Sequence, residues 1–142
     1  MTDYKNPGVA ASVAVYAKKE NSVLMIKRLK EPFKDTYAFP GGFLDVDKED
    51  IYECAVRELE EETGVRISKD KLELIDVRSD PKRDPRHHVL DIGFYAVVDK
   101  ITKLNNEADE ATSWIPVEKV DSLTLAFDHH KFWIHLKLKI QS

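Results

Sequence analysis

The segment Arg57–Val65, RELEEETGV, places four glutamates within five positions and then reaches a glycine. Glycine is the residue most often found just past the end of a helix, because it adopts the left-handed backbone conformation without strain. The pattern therefore predicts a helix from about Lys48 to Thr63 that stops at Gly64. The two ends of this predicted helix determine where the preceding and the following segments of the chain must begin.

Three of the glutamates share one side of this predicted helix. At about 100° per residue, Glu58, Glu61 and Glu62 lie at i, i+3 and i+4, whereas Glu60 falls almost opposite and is expected to face solvent. The apolar side begins directly beside this acidic side and contains Ile51, Tyr52, Ala55, Val56 and Leu59. The clustered carboxylates are therefore expected at the edge of the core.

Such a cluster needs a positive partner. Like charges at i, i+4 repel each other, and each glutamate in the last turn also faces the negative end of the helix dipole, at about 0.3–1 kcal/mol. Arg57 can reach Glu53 or Glu61, but one arginine cannot neutralise the whole group. Oxygen ligands favour a hard divalent ion, so we expect Mg²⁺ or Mn²⁺, and magnesium is commonly bound together with substrate phosphates.

Composition limits the class of protein. The 142 residues are enough for one domain with a real core, so we expect a single domain over residues 1–142. A net charge of −4 argues against a general nucleic-acid binder, although local arginines could still bind a small anion. The single cysteine, Cys54, cannot form an internal disulfide, and the apolar runs are too short to span a membrane. We therefore expect a cytoplasmic protein without membrane or nucleic-acid partners.

The order of predicted elements favours an α/β fold. The tight loop FPGGF (Phe39–Phe43) precedes the acidic helix, and a second helix is predicted from Phe127 to Ile140, with Trp133, Leu136 and Ile140 on one side. Strands are predicted at Val9–Ala17, Val23–Arg28, Leu72–Arg78, Val89–Val98 and Thr112–Ile115. Strands interrupted by one helix and closed by another predict a mixed sheet covered by helices.

The acidic segment resembles the signature of a known family. The sequence GGFLDVDKEDIYECAVRELEEETGV is similar to the Nudix box, G-x5-E-x7-R-E-U-x-E-E-x-G-U, where U is aliphatic. The matching residues are Glu49, Arg57, Glu58, Leu59, Glu61, Glu62, Gly64 and Val65. Gly42 lies seven residues before Glu49 instead of six, so the loop carries one extra residue among positions 44–48.

The resemblance implies an α/β/α sandwich around a mixed sheet, with the box as a loop–helix–loop, and hydrolysis of a nucleoside diphosphate linked to another group. It implies that Glu58, Glu61 and Glu62 bind the metal, with Glu49 and the Gly42 carbonyl as further ligands. Arg57 would orient the glutamates through salt bridges. Metal ions would neutralise charge on the diphosphate and activate a water, and a glutamate would take its proton.

A second segment bears on the substrate. Two prolines stiffen SDPKRDPRHH (Ser79–His88), hereafter the basic loop, and its Lys82, Arg83 and Arg86 suit phosphate oxygens. A solvated connection between two strands is the alternative interpretation. The loop also resembles the S-D-P-x-R-D-P-R-x-H segment of the ADP-ribose pyrophosphatase branch, and LAFDHHK (Leu125–Lys131) resembles a segment of ADP-ribose-recognising relatives. The implied reaction converts ADP-ribose to AMP and ribose 5-phosphate.

Other candidate residues follow from this substrate. Adenine needs an aromatic surface, and Tyr37 and Phe39, together with Phe33 and Phe43, flank the glycines. In relatives, a glutamate from a later loop serves as base or extra ligand, so Glu107 and Glu110 are candidates, and the choice between them and Glu62 stays open.

Two other functions stay open. One is hydrolysis of nucleoside triphosphates or dinucleoside polyphosphates. The other is a non-catalytic module that senses ADP-ribose; regulators of that kind usually have a damaged box and an added DNA-binding domain, whereas here the glutamates are present and few residues follow Trp133. Relatives of this type are often homodimers, so a homodimer is a candidate assembly.

Overall fold

A computed structural model describes residues 5–105 and 111–142 and contains one mixed sheet with helices on both faces. The strands are β1 (Gly8–Ala17), β2 (Ser22–Lys27), β3 (Tyr37–Ala38), β4 (Gly41–Phe43), β5 (Glu73–Arg78), β6 (Val89–Val98) and β7 (Ala111–Pro116). The helices are α1 (Ile51–Thr63), α2 (Val117–Val120) and α3 (His129–Gln141), with a single 3₁₀ turn at Lys69–Lys71.

The sheet is built around β1. It runs parallel to β6 along its whole length, from Gly8 opposite Val89 to Ala17 opposite Val98, and antiparallel to β2 and β4. The strand order is β3-β2-β1-β6-β5, with β4 added on β1 and β7 added on β2. One parallel pair among antiparallel neighbours confirms the predicted mixed sheet.

Side chains of β1 alternate between two cores, as the two-residue period of a strand requires. Val13 and Val15 lie in one core cluster with Leu59 and other apolar residues of α1. Ala14 packs in a second cluster that contains Phe132 and Leu136 of α3. Both faces of the sheet are therefore buried under a helix, which confirms the predicted α/β/α arrangement.

Helix α1 begins later than the sequence predicted. Asp50 is the N-cap and forms a capping box, in which its carboxylate accepts from the Glu53 N–H while the Glu53 carboxylate accepts from the Asp50 N–H. At the other end Gly64 adopts the predicted left-handed conformation, with φ of 80°. In the preceding loop, which carries the extra residue, Asp47 has a positive φ of 67°, and Glu49 still contacts Arg57 of the helix.

Two predicted boundaries were wrong. Gly41–Phe43 is not a loop but strand β4, which pairs with β1 so closely that a Cβ on Gly41 would lie 2.0 Å from the Ala11 carbonyl oxygen. The closing helix begins at His129 because Phe127 has a positive φ of 52°. Its predicted buried side is confirmed by Phe132, Trp133 and Leu136, against which Ile140 packs.

Among residues 5–105 and 111–142, α1 and α3 are the longest helices, and neither is long and apolar enough to cross a membrane.

Candidate active site

A cavity of about 270 Å³ opens beside the glycines of β4. One wall is formed by β1 and β4, and another by the basic loop. Its lining includes Glu62 from α1, Arg28 just after β2, and Phe127 and His129 at the start of α3. The acidic helix and the basic loop therefore meet at the same cavity, although they are separated in the sequence.

Arg57 is the centre of the acidic cluster. Its guanidinium donates to both oxygens of Glu49, at 2.6 and 2.7 Å, and Nη1 also donates to Glu58 at 2.9 Å and to Glu61 at 3.1 Å. Nη2 additionally donates to the Phe43 carbonyl of β4 at 3.2 Å. The expected contact with Glu61 is thus present, whereas Glu53 is engaged in the capping box. Arg57 fastens the loop, β4 and the helix glutamates to one another.

The glutamates differ in their surroundings. The hydrogen bond from Arg57 lowers the pKa of Glu49 to about 2. Burial raises the pKa of Glu58 above its ordinary value, although Arg57 opposes this shift. Glu62 accepts from the Gly41 N–H at 2.7 Å, which holds its carboxylate against β4. Glu60 lies apart from the cluster and pairs with Arg66 at the surface, as the helix register predicted.

The donor chemistry of this cluster fits a divalent cation. Glu49, Glu58 and Glu61 share one guanidinium, so this group keeps an excess of negative charge. A Cβ on Gly42 would lie 2.3 Å from the Glu58 carboxylate, so the strand leaves space there that any other residue would fill. Carboxylate and backbone carbonyl oxygens are ligands that hard ions prefer.

The arrangement itself is not that of a formed metal site. Within the described ranges, no three histidine, cysteine, aspartate or glutamate side chains are grouped so that they could hold a metal ion. Glu58 and Glu61 both turn towards Nη1 of Arg57, so metal uptake would require at least one of them to turn away. The metal ligands stay predictions. Glu107 and Glu110 lie outside the described residues.

The three cations of the basic loop have different positions. Arg83 is enclosed, with 4% of its side chain exposed, and it donates to both oxygens of Asp128 at 2.8 and 3.0 Å. Arg86 also lines the cavity but is 41% exposed, and it donates to both oxygens of Asp84. Lys82 does not line the cavity. Of the three, Arg86 is the one whose position best suits contact with a ligand.

A buried ionic network lies below the cavity, and it was not predicted from the sequence. Arg78 pairs with Asp128 at 2.8 Å and with Asp91 at 2.9 Å, and Ser12 donates to both oxygens of Asp91. Burial alone would raise the pKa of Asp91, but the hydrogen bond from His129 and the nearby arginine charges hold it well below its usual range. A sequence signal existed, since an aspartate interrupts the apolar strand VLDIGF.

His129 belongs to this network in its neutral form. Its Nδ1 accepts from the Phe39 backbone N–H at 3.1 Å, so the proton resides on Nε2, which faces Asp91 at 3.5 Å. Burial lowers the pKa of His129, and the hydrogen bond to Asp91 only partly opposes this. The ring is therefore a fixed part of the cavity floor.

Two of the four aromatic candidates named from the sequence are poorly placed for stacking. Phe39 lines the cavity, but it is 2% exposed, since its ring packs against His129 and Phe132. Tyr37 packs in the core under α3 and does not line the cavity. Phe43, which was also a candidate, lines the cavity, and so does Phe127, which was not; the Arg86 guanidinium lies 5.3 Å and 5.6 Å from their ring centres.

Comparisons with known proteins bear on the family of the chain. A NUDIX domain model matches residues 6–136. An ADP-ribose pyrophosphatase of Methanocaldococcus jannaschii is 41% identical over 129 residues, which are 90% of this chain and 72% of that protein. The Acinetobacter baylyi ADPR responsive transcriptional repressor NtrR is 32% identical over 133 residues, or 91% of this chain, but this chain spans only about half of it (52%).

Among solved structures, a bifunctional NMN adenylyltransferase/ADP ribose pyrophosphatase of Francisella tularensis, complexed with AMP and a Mn ion, has a TM-score of 0.80 and 25% identity. The match covers 98% of this chain and 43% of that one. Shewanella oneidensis NrtR, solved with a 27mer DNA, has a TM-score of 0.74 at 24% identity, covering 94% of this chain and 61% of that one, and shows the fold alone. That DNA belongs to the Shewanella oneidensis complex, and the expectation that this chain has no nucleic-acid partner stays a prediction.

Proposed function

The chain belongs to the Nudix domain family, and from that premise we propose that it hydrolyses ADP-ribose to AMP and ribose 5-phosphate with a divalent metal ion. The observation that carries the proposal is the 41% identity to an ADP-ribose pyrophosphatase over 90% of this chain. The Arg57-centred glutamates beside a cavity that also contains Arg86 support it.

Magnesium is the proposed metal, with manganese as a substitute. Glu58, Glu61 and Glu62 would hold it, with Glu49 and the Gly42 carbonyl as further ligands. When bound, such an ion neutralises charge on the diphosphate and lowers the pKa of a bound water. The Francisella tularensis relative, which was solved with AMP and a Mn ion, supports a divalent metal in a site of this kind.

The protein's own residues have separate tasks in this proposal. Arg57 holds Glu49 on the loop and Glu58 on the helix in one arrangement, so that the loop and α1 act as a unit. The proton of the attacking water goes to a glutamate, for which Glu62, Glu107 and Glu110 remain the candidates. Variants at these three positions will identify it.

Substrate recognition uses the opposite wall of the cavity. The Arg86 guanidinium lies near two aromatic rings of the cavity, that of Phe43 next to the glycines and that of Phe127. A diphosphate bound at the glutamates would therefore pass Arg86, and its base could stack on the Phe127 ring. Arg83, whose guanidinium is engaged with Asp128, has a supporting role in this arrangement.

Sensing of ADP-ribose without hydrolysis is the second candidate function. It is favoured by the 32% identity to the Acinetobacter baylyi repressor across 91% of this chain. Against it stands the intact set of box glutamates, since a sensor has no need of a charge cluster that repels itself. The two functions differ in turnover, not in binding.

The test is a substrate panel with purified protein and Mg²⁺. ADP-ribose, a nucleoside triphosphate and a dinucleoside polyphosphate are compared at equal concentrations, with products separated by chromatography. We expect ADP-ribose to have the highest kcat/KM. A higher kcat/KM for the triphosphate or the polyphosphate would contradict the substrate assignment, and binding of ADP-ribose without products would favour sensing.

The cytoplasmic location, the single-domain organisation and the homodimer remain predictions from the sequence.

A further inference from the structure

The basic loop contains the same short turn twice. Asp80-Pro-Lys82 and Asp84-Pro-Arg86 each begin with an aspartate whose Oδ1 accepts the backbone N–H of the residue two positions on, at 2.8 Å in the first turn and 2.9 Å in the second. Such side-chain hydrogen bonds are a common way to stabilise a turn. The two turns therefore provide an internal comparison within one loop.

The two aspartates are buried to very different extents. Asp80 is exposed to solvent, which shows that the turn itself needs no burial of its carboxylate. Asp84 has only 2% of its side chain exposed, and its two oxygens accept from Nε of Arg86 at 3.0 Å and from Nη2 at 2.8 Å. The first turn has no such pair, because the Lys82 side chain makes no ion pair within the described part of the chain.

The fold keeps this second carboxylate ionised, because its hydrogen bonds hold the pKa of Asp84 below the ordinary value although burial acts to raise it. Burying a carboxylate is unfavourable unless an ionic partner compensates for the lost water. The partner here is Arg86, which is itself 41% exposed. The pair also fixes the plane of the Arg86 guanidinium, because two hydrogen bonds to the two oxygens of one carboxylate allow a single orientation.

The fixed guanidinium faces the cavity. Arg86 lines it near the rings of Phe43 and Phe127. A guanidinium has five N–H donors, and two of them serve Asp84. The other three make no hydrogen bond within residues 5–105 and 111–142. A bidentate anion such as a phosphate is the ligand that those donors suit.

We propose that Asp84 is a positioning residue that holds Arg86 in the orientation in which it binds a phosphate of the nucleotide. The inference rests on the proposed function for the identity of that nucleotide. It also gives Arg86 a second effect, because its guanidinium covers the Asp84 carboxylate. Without Arg86, a negative charge would face the cavity and repel phosphate.

This second effect makes a double-mutant cycle decisive. Arg86→Ala should lower kcat/KM for ADP-ribose by roughly 10- to 100-fold, because it removes a cation and uncovers an anion. Asp84→Asn alone should lower it by roughly 3- to 10-fold, because the fork loses its charged partner. Adding Asp84→Asn to Arg86→Ala should raise kcat/KM at least about 3-fold above Arg86→Ala alone, since the uncovered charge is gone.

The control is Asp80→Asn, which makes the same change in the matching turn and should leave kcat/KM unchanged. Losses that simply multiply would overturn the proposal and leave Asp84 a structural residue, whereas a double variant equal to Arg86→Ala would support positioning through Arg86 and contradict only the repulsion by the uncovered charge. Arg86→Lys is a second test that spares Asp84. It keeps the charge but cannot bind both oxygens, so it should also lose roughly 3- to 10-fold, and wild-type activity would overturn the proposal.

The double-mutant cycle can also be measured through ligand binding, without hydrolysis. If the wild-type protein does not hydrolyse ADP-ribose, the same variants are compared by the Kd for ADP-ribose and for AMP in calorimetry. Rescue of affinity by the second substitution would then support the role of Asp84 although the proposed function has failed. Hydrolysis of ADP-ribose with losses that simply multiply would support the proposed function and overturn the role of Asp84.

Discussion

Arg57 explains at the residue scale why a helix carries so many like charges at its end. Glu49, Glu58 and Glu61 all contact its guanidinium, whereas Glu60 turns away to Arg66. The partition follows from helical geometry, which is why the sequence alone could separate Glu60 from the others. The partners of Arg57 outside the helix, Glu49 among them, could be anticipated only from the resemblance, since the intervening loop has no regular period.

This partition predicts a sharp difference between two neighbouring glutamates. Glu58→Gln should lower kcat for ADP-ribose by at least about 100-fold, the usual scale for removing one electrostatic or acid–base contribution. Glu60→Gln is the matched control, because it makes the same change two residues away on the surface, and it should lose almost nothing. Steady-state kinetics with Mg²⁺ measures both. Equal losses would show that the catalytic group does not lie on the Glu58 side of the helix.

At the scale of elements, the position of β4 was the main feature that sequence reasoning missed. Two glycines after a proline suggested a turn, but in the fold they let a strand approach both β1 and α1. The contacts that require glycine come from Ala11 and Glu58, distant in the chain. The periodic helix and the long strands were predictable because their signal is local. Pairings such as that of Arg83 with Asp128 were not predictable, because no local sequence pattern indicates which distant residue is the partner.

The two glycines of β4 should respond differently to alanine. At Gly41 the new Cβ would lie 2.0 Å from the Ala11 backbone oxygen, so Gly41→Ala should destabilise the fold, with a loss of roughly 1–3 kcal/mol. At Gly42 it would meet the Glu58 carboxylate, the end of a flexible side chain that can turn aside. Gly42→Ala should therefore keep most of its stability but lose at least about 10-fold in kcat.

Denaturant unfolding together with ADP-ribose kinetics separates the two effects. A Gly42→Ala variant that is fully active would show that the Glu58 carboxylate need not occupy the position seen beside β4.

On the scale of the whole molecule, the buried network joins elements that are far apart in the sequence. Arg78 of β5 contacts Asp91 of β6 and Asp128 beside α3, and His129 at the start of α3 faces Asp91. These groups fix the basic loop and α3 against the sheet, and so define the far wall of the cavity. Their titration should therefore appear in the stability of the entire fold.

The expected pH dependence has a definite sign. Burial lowers the pKa of His129 below its ordinary 6.5, so below that pH the unfolded chain binds a proton that the folded chain does not. The free energy of unfolding should then fall as pH decreases through this range, by at most about 1.4 kcal/mol per pH unit for one group. The pKa values of Asp91 and Asp128 are also lowered, so a further loss is expected below their ordinary 3.8.

Urea unfolding of the wild type and of His129→Gln, between pH 7 and pH 4.5, isolates the histidine. The variant should lose less stability across this interval. Parallel curves for the two proteins would mean that His129 is not held neutral in the fold.

The central claim is that the glutamates of α1 act through a divalent metal on ADP-ribose, and turnover measures it most directly. Purified protein is incubated with ADP-ribose and Mg²⁺, and AMP and ribose 5-phosphate are quantified over time. We predict equal amounts of the two products, no products after excess EDTA, and recovery when Mg²⁺ is restored above the chelator. ADP-ribose that binds in calorimetry yet stays intact with either Mg²⁺ or Mn²⁺, or hydrolysis that continues in the chelator, would contradict this claim.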